Sequence, residues 1–116
     1  MAEVVIYHNP RCSKSRQTMA LLEERGIEPT VVKYLEAPPT AAKLRELLTL
    51  LGMTPRELMR KKEAPYQELD LANQALSETA LIDAMVENPI LIERPIVEAN
   101  GKAALGRPPE SVLEIL

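Results

Sequence analysis

One cysteine, one histidine and a few arginines are the residues of this 116-residue chain that could do chemistry. Cys12 stands where a β-rich run, Val4-Val5-Ile6-Tyr7, passes through the turn signal His8-Asn9-Pro10. A stretch free of Gly and Pro follows, from Ser13 to Arg25. A thiol at such a strand-to-helix junction lies beside unsatisfied backbone N–H groups and the positive end of the helix dipole. Both favour thiolate over thiol and make the sulfur nucleophilic near neutral pH. Arg16 lies one turn on, on the same face, while Ser13 and Ser15 can donate hydrogen bonds and Arg11 and Lys14 add positive charge. The competing reading is a buried cysteine whose basic neighbours merely solvate a loop, since free Cys is often buried. Placement at a helix start favours the reactive thiol.

The spacing excludes two thiol chemistries. A dithiol redox motif needs cysteine at position 15, which is Ser15, and a C-x5-R phosphate loop needs arginine at position 18, which is Thr18. One Cys and one His are too few soft ligands for a metal site, so none is expected. His8, four residues before Cys12, has two readings. It can stabilise the thiolate or pass protons, its ordinary pKa being near neutrality, or it can be a satisfied structural residue at a strand end.

These residues need a frame. Val4 to Tyr7 is a first strand, and Met19 and Leu22 with their neighbours give an apolar helical stripe that Gly26 stops. Pro29 to Tyr34 is a second strand centred on Val31-Val32, before a break at Ala37-Pro38-Pro39. Leu44, Leu47, Leu48 and Leu51 recur at i, i+3, i+4 and i+7, an amphipathic helix closed by Gly52. Thr54-Pro55-Arg56-Glu57 is a capping box with proline at the first helical position. Ser77 can cap a helix carrying Leu81, Ile82, Met85 and Val86 that ends at Asn88-Pro89, and Tyr66 to Asn73 is ambiguous, with one short helical turn as the option. Pro95-Ile96-Val97 is a strand, Asn100-Gly101 a hairpin turn, Lys102 to Leu105 the return strand, and Glu110 to Leu116 a short closing helix after Pro108-Pro109.

A helix crossover between two strands implies a parallel pair, and the hairpin adds antiparallel strands. The expected fold is α/β and thioredoxin-like, a single domain over 1–116 with a mixed sheet and a helical insertion at about 40–88 between the second and third strands. A ferredoxin-like split βαβ is the main competitor. In a thioredoxin-like fold a proline starts the strand beside the active cysteine, usually in the cis form. Pro95 is that candidate, and Arg94 would be delivered next to Cys12. The plainer alternative is a surface Glu93-Arg94 pair. Arg107, set between Gly106 and two prolines, and Arg60, in Arg60-Lys61-Lys62, are each weak evidence alone.

Composition narrows the partners. The net charge is -3 with dispersed basic residues, so there is no footprint for nucleic acid. With no Phe and no Trp, the core must be aliphatic. No apolar segment approaches the roughly 18 to 20 residues needed to cross a bilayer, and Met1 leads into the first strand without the basic region of a signal peptide. A lone cysteine fits a reducing compartment, so the expectation is a cytoplasmic protein away from membranes; a monomer is the working expectation for its assembly.

Tyr7-His8-Asn9-Pro10-x-Cys12-x-x-Ser15-Arg16 resembles the active-site loop of glutaredoxin-dependent arsenate reductases. So do Tyr34-Leu35-Glu36-x-Pro38-Pro39, Leu58-Met59-Arg60-Lys61, Pro89-Ile90-Leu91-Ile92-x-Arg94-Pro95-Ile96-Val97 and Gly106-Arg107-Pro108. The resemblance implies that Cys12 attacks arsenate and forms a thiol–arsenate adduct, and that Arg60, Arg94 and Arg107 hold the oxyanion. Arg16 is added to that set for its place beside the thiol. It places His8 near the thiol and gives Ser15 a part in keeping it ionised. It further implies no tightly bound cofactor, glutathione as co-substrate and glutaredoxin as partner, glutathione attacking the adduct and glutaredoxin resolving the mixed species before arsenite leaves. Arg11, where plasmid-type members often have a small residue, and an early end after the last motif resemble a chromosomal short-chain subgroup. Two alternatives stay open: a glutathione-dependent thiol reductase or transferase on the same fold, and a non-catalytic redox-sensing regulator that binds RNA polymerase.

Overall fold

A computed structural model describes residues 3–116; Met1, where the signal-peptide reading starts, lies outside them. The described residues form two compact units, one of residues 3–37 with 94–116 and one of residues 38–93.

The first unit holds the whole sheet. Strand β1 (Val5–Tyr7) leads into helix α1 (Ser13–Glu24), and β2 (Thr30–Val32) returns beside β1. Strands β3 (Ile96–Ala99) and β4 (Lys102–Leu105) form the hairpin. The sheet order is β2-β1-β3-β4, with β1 parallel to β2 and antiparallel to β3, and β3 antiparallel to β4. This is the thioredoxin-like mixed sheet. A split βαβ is excluded because β1 and β2 are direct neighbours, with no strand between them. Asn100 and Gly101 both take positive φ, 55° and 72°, as a two-residue hairpin turn requires.

One aliphatic cluster holds this unit together. Ile6 of β1, Leu22 of α1, Val97 and Ala99 of β3, and Val112 and Ile115 of the closing segment are buried together, with Met19, Ile27 and Ala104 packed against them. The closing segment, Pro109–Ile115, is 3-10 rather than α-helical. It buries Pro109, Val112 and Ile115, a spacing of three that matches the tighter winding.

The second unit, residues 38–93, is helical. Helix α2 (Ala41–Leu51) is capped by Thr40, whose hydroxyl accepts the Lys43 N–H, and ends in a left-handed Gly52. Helix α3 (Pro55–Leu58) carries the full capping box from Thr54 and Glu57. Helix α4 (Ala64–Glu68) falls at the ambiguous stretch and buries none of its residues. Helix α5 (Glu78–Glu87), capped by Ser77, buries Leu81, Ile82, Ala84 and Met85 and packs against α2 and α3. A 3-10 turn at Pro89–Leu91 follows, and Met59 and Ile92 form an isolated antiparallel bridge. Among the described residues no helix is long and apolar enough to cross a membrane.

Candidate active site

Cys12 is the N-cap residue of α1, in an extended conformation (φ -92°, ψ 125°) that turns the chain from strand into helix. Asn9 holds this turn through three bonds. Its carbonyl accepts the Cys12 N–H at 3.0 Å, its side-chain Oδ1 accepts the Arg11 N–H at 3.0 Å, and its own N–H donates to Ser15 Oγ at 3.0 Å. The Arg16 guanidinium braces the loop from outside by donating to the Pro10 carbonyl at 2.9 Å. Ser15 is fully buried, and its Oγ also hydrogen-bonds His8 Nδ1.

Cys12 is only 8% exposed, yet its sulfur lies among donors. Burial pushes its pKa up. The Ser15 N–H, the Arg94 side chain, the Lys14 N–H and the charge of Arg94 all pull it down and prevail, leaving the thiol below its ordinary value. The sulfur makes no conventional side-chain capping bond, so these N–H groups act through proximity to its charge. Arg107 Nη2 donates to Sγ at 3.6 Å while its Nε donates to the Arg94 carbonyl at 2.7 Å. Two guanidiniums therefore converge on one sulfur.

Both stand at the open end of the hairpin, Arg94 just before β3 and Arg107 just after β4. The Arg94–Pro95 and Arg107–Pro108 bonds are both cis, and the Gly106 N–H donates to the Pro95 carbonyl at 2.9 Å. A Cβ on Gly106 would collide with Thr18 Oγ1 and sit 2.7 Å from Pro95 Cγ, so only glycine lets the two segments and α1 close up here. Behind the arginines, Tyr34 is 1% exposed. Arg94 loses solvation by burial, which disfavours its charge, but the neighbouring Cys12 sulfur and Tyr34 side chain favour it and raise its pKa overall. His8 goes the other way. Desolvation, then the charges of Lys33 and Arg16, hold it below its ordinary value, so it is neutral at physiological pH.

The structure thus places Cys12, Ser15, His8, Arg94, Arg107 and Pro95 in one neighbourhood. Arg16 is exposed and points to the loop carbonyl rather than to the sulfur. Arg60 belongs to the second unit, where it pairs with Glu93 at 2.7 Å and Glu63 at 3.2 Å. Sequence reasoning gave no role to Asn9, Thr18, Gly106 or Tyr34. The turn signal at Asn9-Pro10 and the Tyr34 that ends the second strand were the available hints. Among the described residues, no group of three or more His, Cys, Asp or Glu side chains could hold a metal ion.

The sheet and the position of the chain's one cysteine at the start of α1 define a thioredoxin-like protein. Residues 7–115 match the ArsC family. The chain is 67% identical over 115 residues to Escherichia coli K12 YfgD, covering 98% of this chain and 97% of that one. It is 51% identical over 117 residues to a Neisseria meningitidis protein named arsenate reductase, covering the whole of both. The solved structure described as an arsenate reductase from Vibrio cholerae superposes with a TM-score of 0.95 at 58% identity, covering 98% of each chain. This chain belongs to the ArsC family.

Proposed function

We propose that this chain is an arsenate reductase in which the Cys12 thiolate attacks arsenate and glutathione with glutaredoxin supplies the electrons. The observation that carries the reading is the convergence of Arg94 and Arg107 on a single cysteine whose pKa is lowered from its ordinary value. Arsenate is an anion at neutral pH, so bringing it to a thiolate costs like-charge repulsion. A guanidinium about 4 Å away offsets roughly 4 kcal/mol of this at an effective dielectric of about 20. Two planar donor forks also orient a tetrahedral oxyanion and stabilise charge on its oxygens as the arsenic–sulfur bond forms. Loss of an arsenic-bound hydroxyl as water then leaves the Cys12–arsenate adduct.

The chain has no second cysteine to resolve that adduct. Two electrons must come from outside, with two thiols becoming one disulfide as arsenate becomes arsenite. Glutathione and glutaredoxin are the proposed source, in the reducing cytoplasm, with the enzyme acting as a monomer and without a bound cofactor. Ser15, bonded to His8 and to Asn9, keeps the Cys12 loop in place, and neutral His8 adds no charge of its own. Arg16 adds positive field from the loop, and Arg60 is assigned an oxyanion role by the family resemblance alone.

The test is NADPH oxidation coupled through glutathione reductase, with arsenate, glutathione and glutaredoxin present. Turnover should require all three and vanish in Cys12→Ser. Arg94→Lys should be clearly impaired despite its charge, because it loses the fork. Arsenate turnover surviving in Cys12→Ser would sink the mechanism. Oxidation with a disulfide substrate in place of arsenate points instead to a thiol reductase. A chain silent with both that retains RNA polymerase points to the regulator.

A further inference from the structure

A concave feature adjoins the thiol loop and is not used by the chemistry above. It is a cleft of about 330 Å³ between the His8–Arg11 loop and the turn that follows β2, lined by His8, Asn9, Arg11, Lys33, Leu35 and Glu36. Two of these side chains are cationic, one is anionic, and Leu35, 41% exposed, supplies an apolar surface. Among the described residues, neither Arg11, Lys33 nor Glu36 has its charged group in an ion pair with a neighbour. Part of the lining is firm, because His8 and Asn9 are buried and tied into the Ser15 network. The cleft wall is continuous with the nucleophile, since Arg11 and Cys12 are consecutive and their Cα atoms are about 3.8 Å apart.

We propose that this cleft seats the thiol co-substrate, a small peptide thiol of the glutathione type with two carboxylates and one ammonium. The proposal rests on the arsenate-reductase reading and adds the place where the second thiol binds. Arg11 and Lys33 receive the two carboxylates, Glu36 receives the ammonium, and Leu35 lies under the methylene stem. A peptide of three residues spans roughly 10 Å when extended, enough to keep its charged ends in the cleft while its sulfur reaches past Arg11. There its thiol forms a sulfur–arsenic bond with arsenic already held by Cys12. The thiol proton leaves with an arsenic hydroxyl as water, and arsenic remains pentavalent until an external thiol attacks the co-substrate sulfur. One cation would recognise any small anion. Two cations with an anion between the same walls select a zwitterion.

The test uses the full chain carrying Cys12→Ser, titrated with S-methylglutathione and followed by backbone amide NMR, so that binding is read without turnover. Saturable shifts in the millimolar range at Arg11, Lys33, Leu35 and Glu36 are expected. They should be lost in the charge-reversed Arg11→Glu/Lys33→Glu variant, whose otherwise unchanged spectrum shows that it folds. In the coupled assay with Cys12 intact, Lys33→Ala should raise KM for glutathione roughly tenfold, well beyond any change in KM for arsenate. Shifts that never saturate, or that centre elsewhere, overturn the proposal. So does a KM for glutathione indifferent to both cations. If no arsenate turnover is found but the titration saturates in the cleft, the site stands and the arsenate reading falls. Turnover without cleft binding gives the reverse.

Discussion

Gly106→Ala tests how the site is assembled without touching any group that does chemistry. A Cβ there would lie 2.7 Å from Pro95 Cγ and closer still to Thr18 Oγ1. Carbon atoms settle near 3.5 Å or beyond, so the Leu105–Arg107 segment must move by about 0.8 Å against Pro95 alone. Overpacking a fixed position costs about 1 to 3 kcal/mol, which for a domain of this size lowers Tm by roughly 4 to 12 °C. The same displacement carries Arg107, the next residue, whose two bonds to the Arg94 carbonyl and to Cys12 are 2.7 and 3.6 Å long. A misplacement of about 1 Å at a reacting centre can lower a rate by up to about a hundredfold. The assays are thermal unfolding and kcat/KM for arsenate, run in parallel. Adding Thr18→Ala removes the nearest obstructing atom and should recover part of both losses, giving a non-additive double-mutant cycle. An unchanged Tm and activity in Gly106→Ala would refute the close approach. A lowered Tm with full activity would refute its link to Arg107.

Alkylation of Cys12 should accelerate with a midpoint below the ordinary thiol pKa, because the thiolate reacts and the site favours it. Arg94→Ala should move that midpoint upward, and a wild-type midpoint at or above the ordinary value removes the basis for nucleophilic attack. The imidazole NMR signals of His8 should titrate below the ordinary histidine value, with Lys33→Ala moving the midpoint back up; a raised midpoint contradicts the neutral assignment. Thr54→Ala should cost about 1 kcal/mol in denaturant unfolding, since both halves of the α3 capping box are present. No loss there means that α3 is held by packing alone.

The sheet was legible because its signals are local. Val31-Val32, Ile96-Val97 and Asn100-Gly101 fall within the observed strands and turn, and the leucine spacing over 44–51 matches the buried face of α2. The stretch around α4 was not legible, for a physical reason: a helix that buries nothing leaves no periodic mark. The closing segment kept its place but changed its winding, because a burial spacing of three suits 3-10 geometry. At the site, the strand-to-helix junction marked Cys12 as a candidate nucleophile. What the chain order concealed were contacts across long separations: Tyr34 against Arg94, and Gly106 against Thr18 and Pro95. None has a sequence period, and each concerns a residue type that is unremarkable where it stands.

Helix α1 begins without the usual help. Its N-cap residue is a cysteine that makes no side-chain capping bond, and no acidic residue stands in its first turn. Serine is among the preferred residues at that position, worth about 1 kcal/mol over a poor one. At a pH low enough to keep Cys12 protonated, so that no thiolate charge is lost, Cys12→Ser is therefore expected to melt higher than the wild-type chain while doing no chemistry at all. At this one position selection for reactivity and selection for a durable fold favour different side chains. The unfolding temperature of the inactive variant measures how far the chain has been pulled from its own stability optimum to keep a sulfur there.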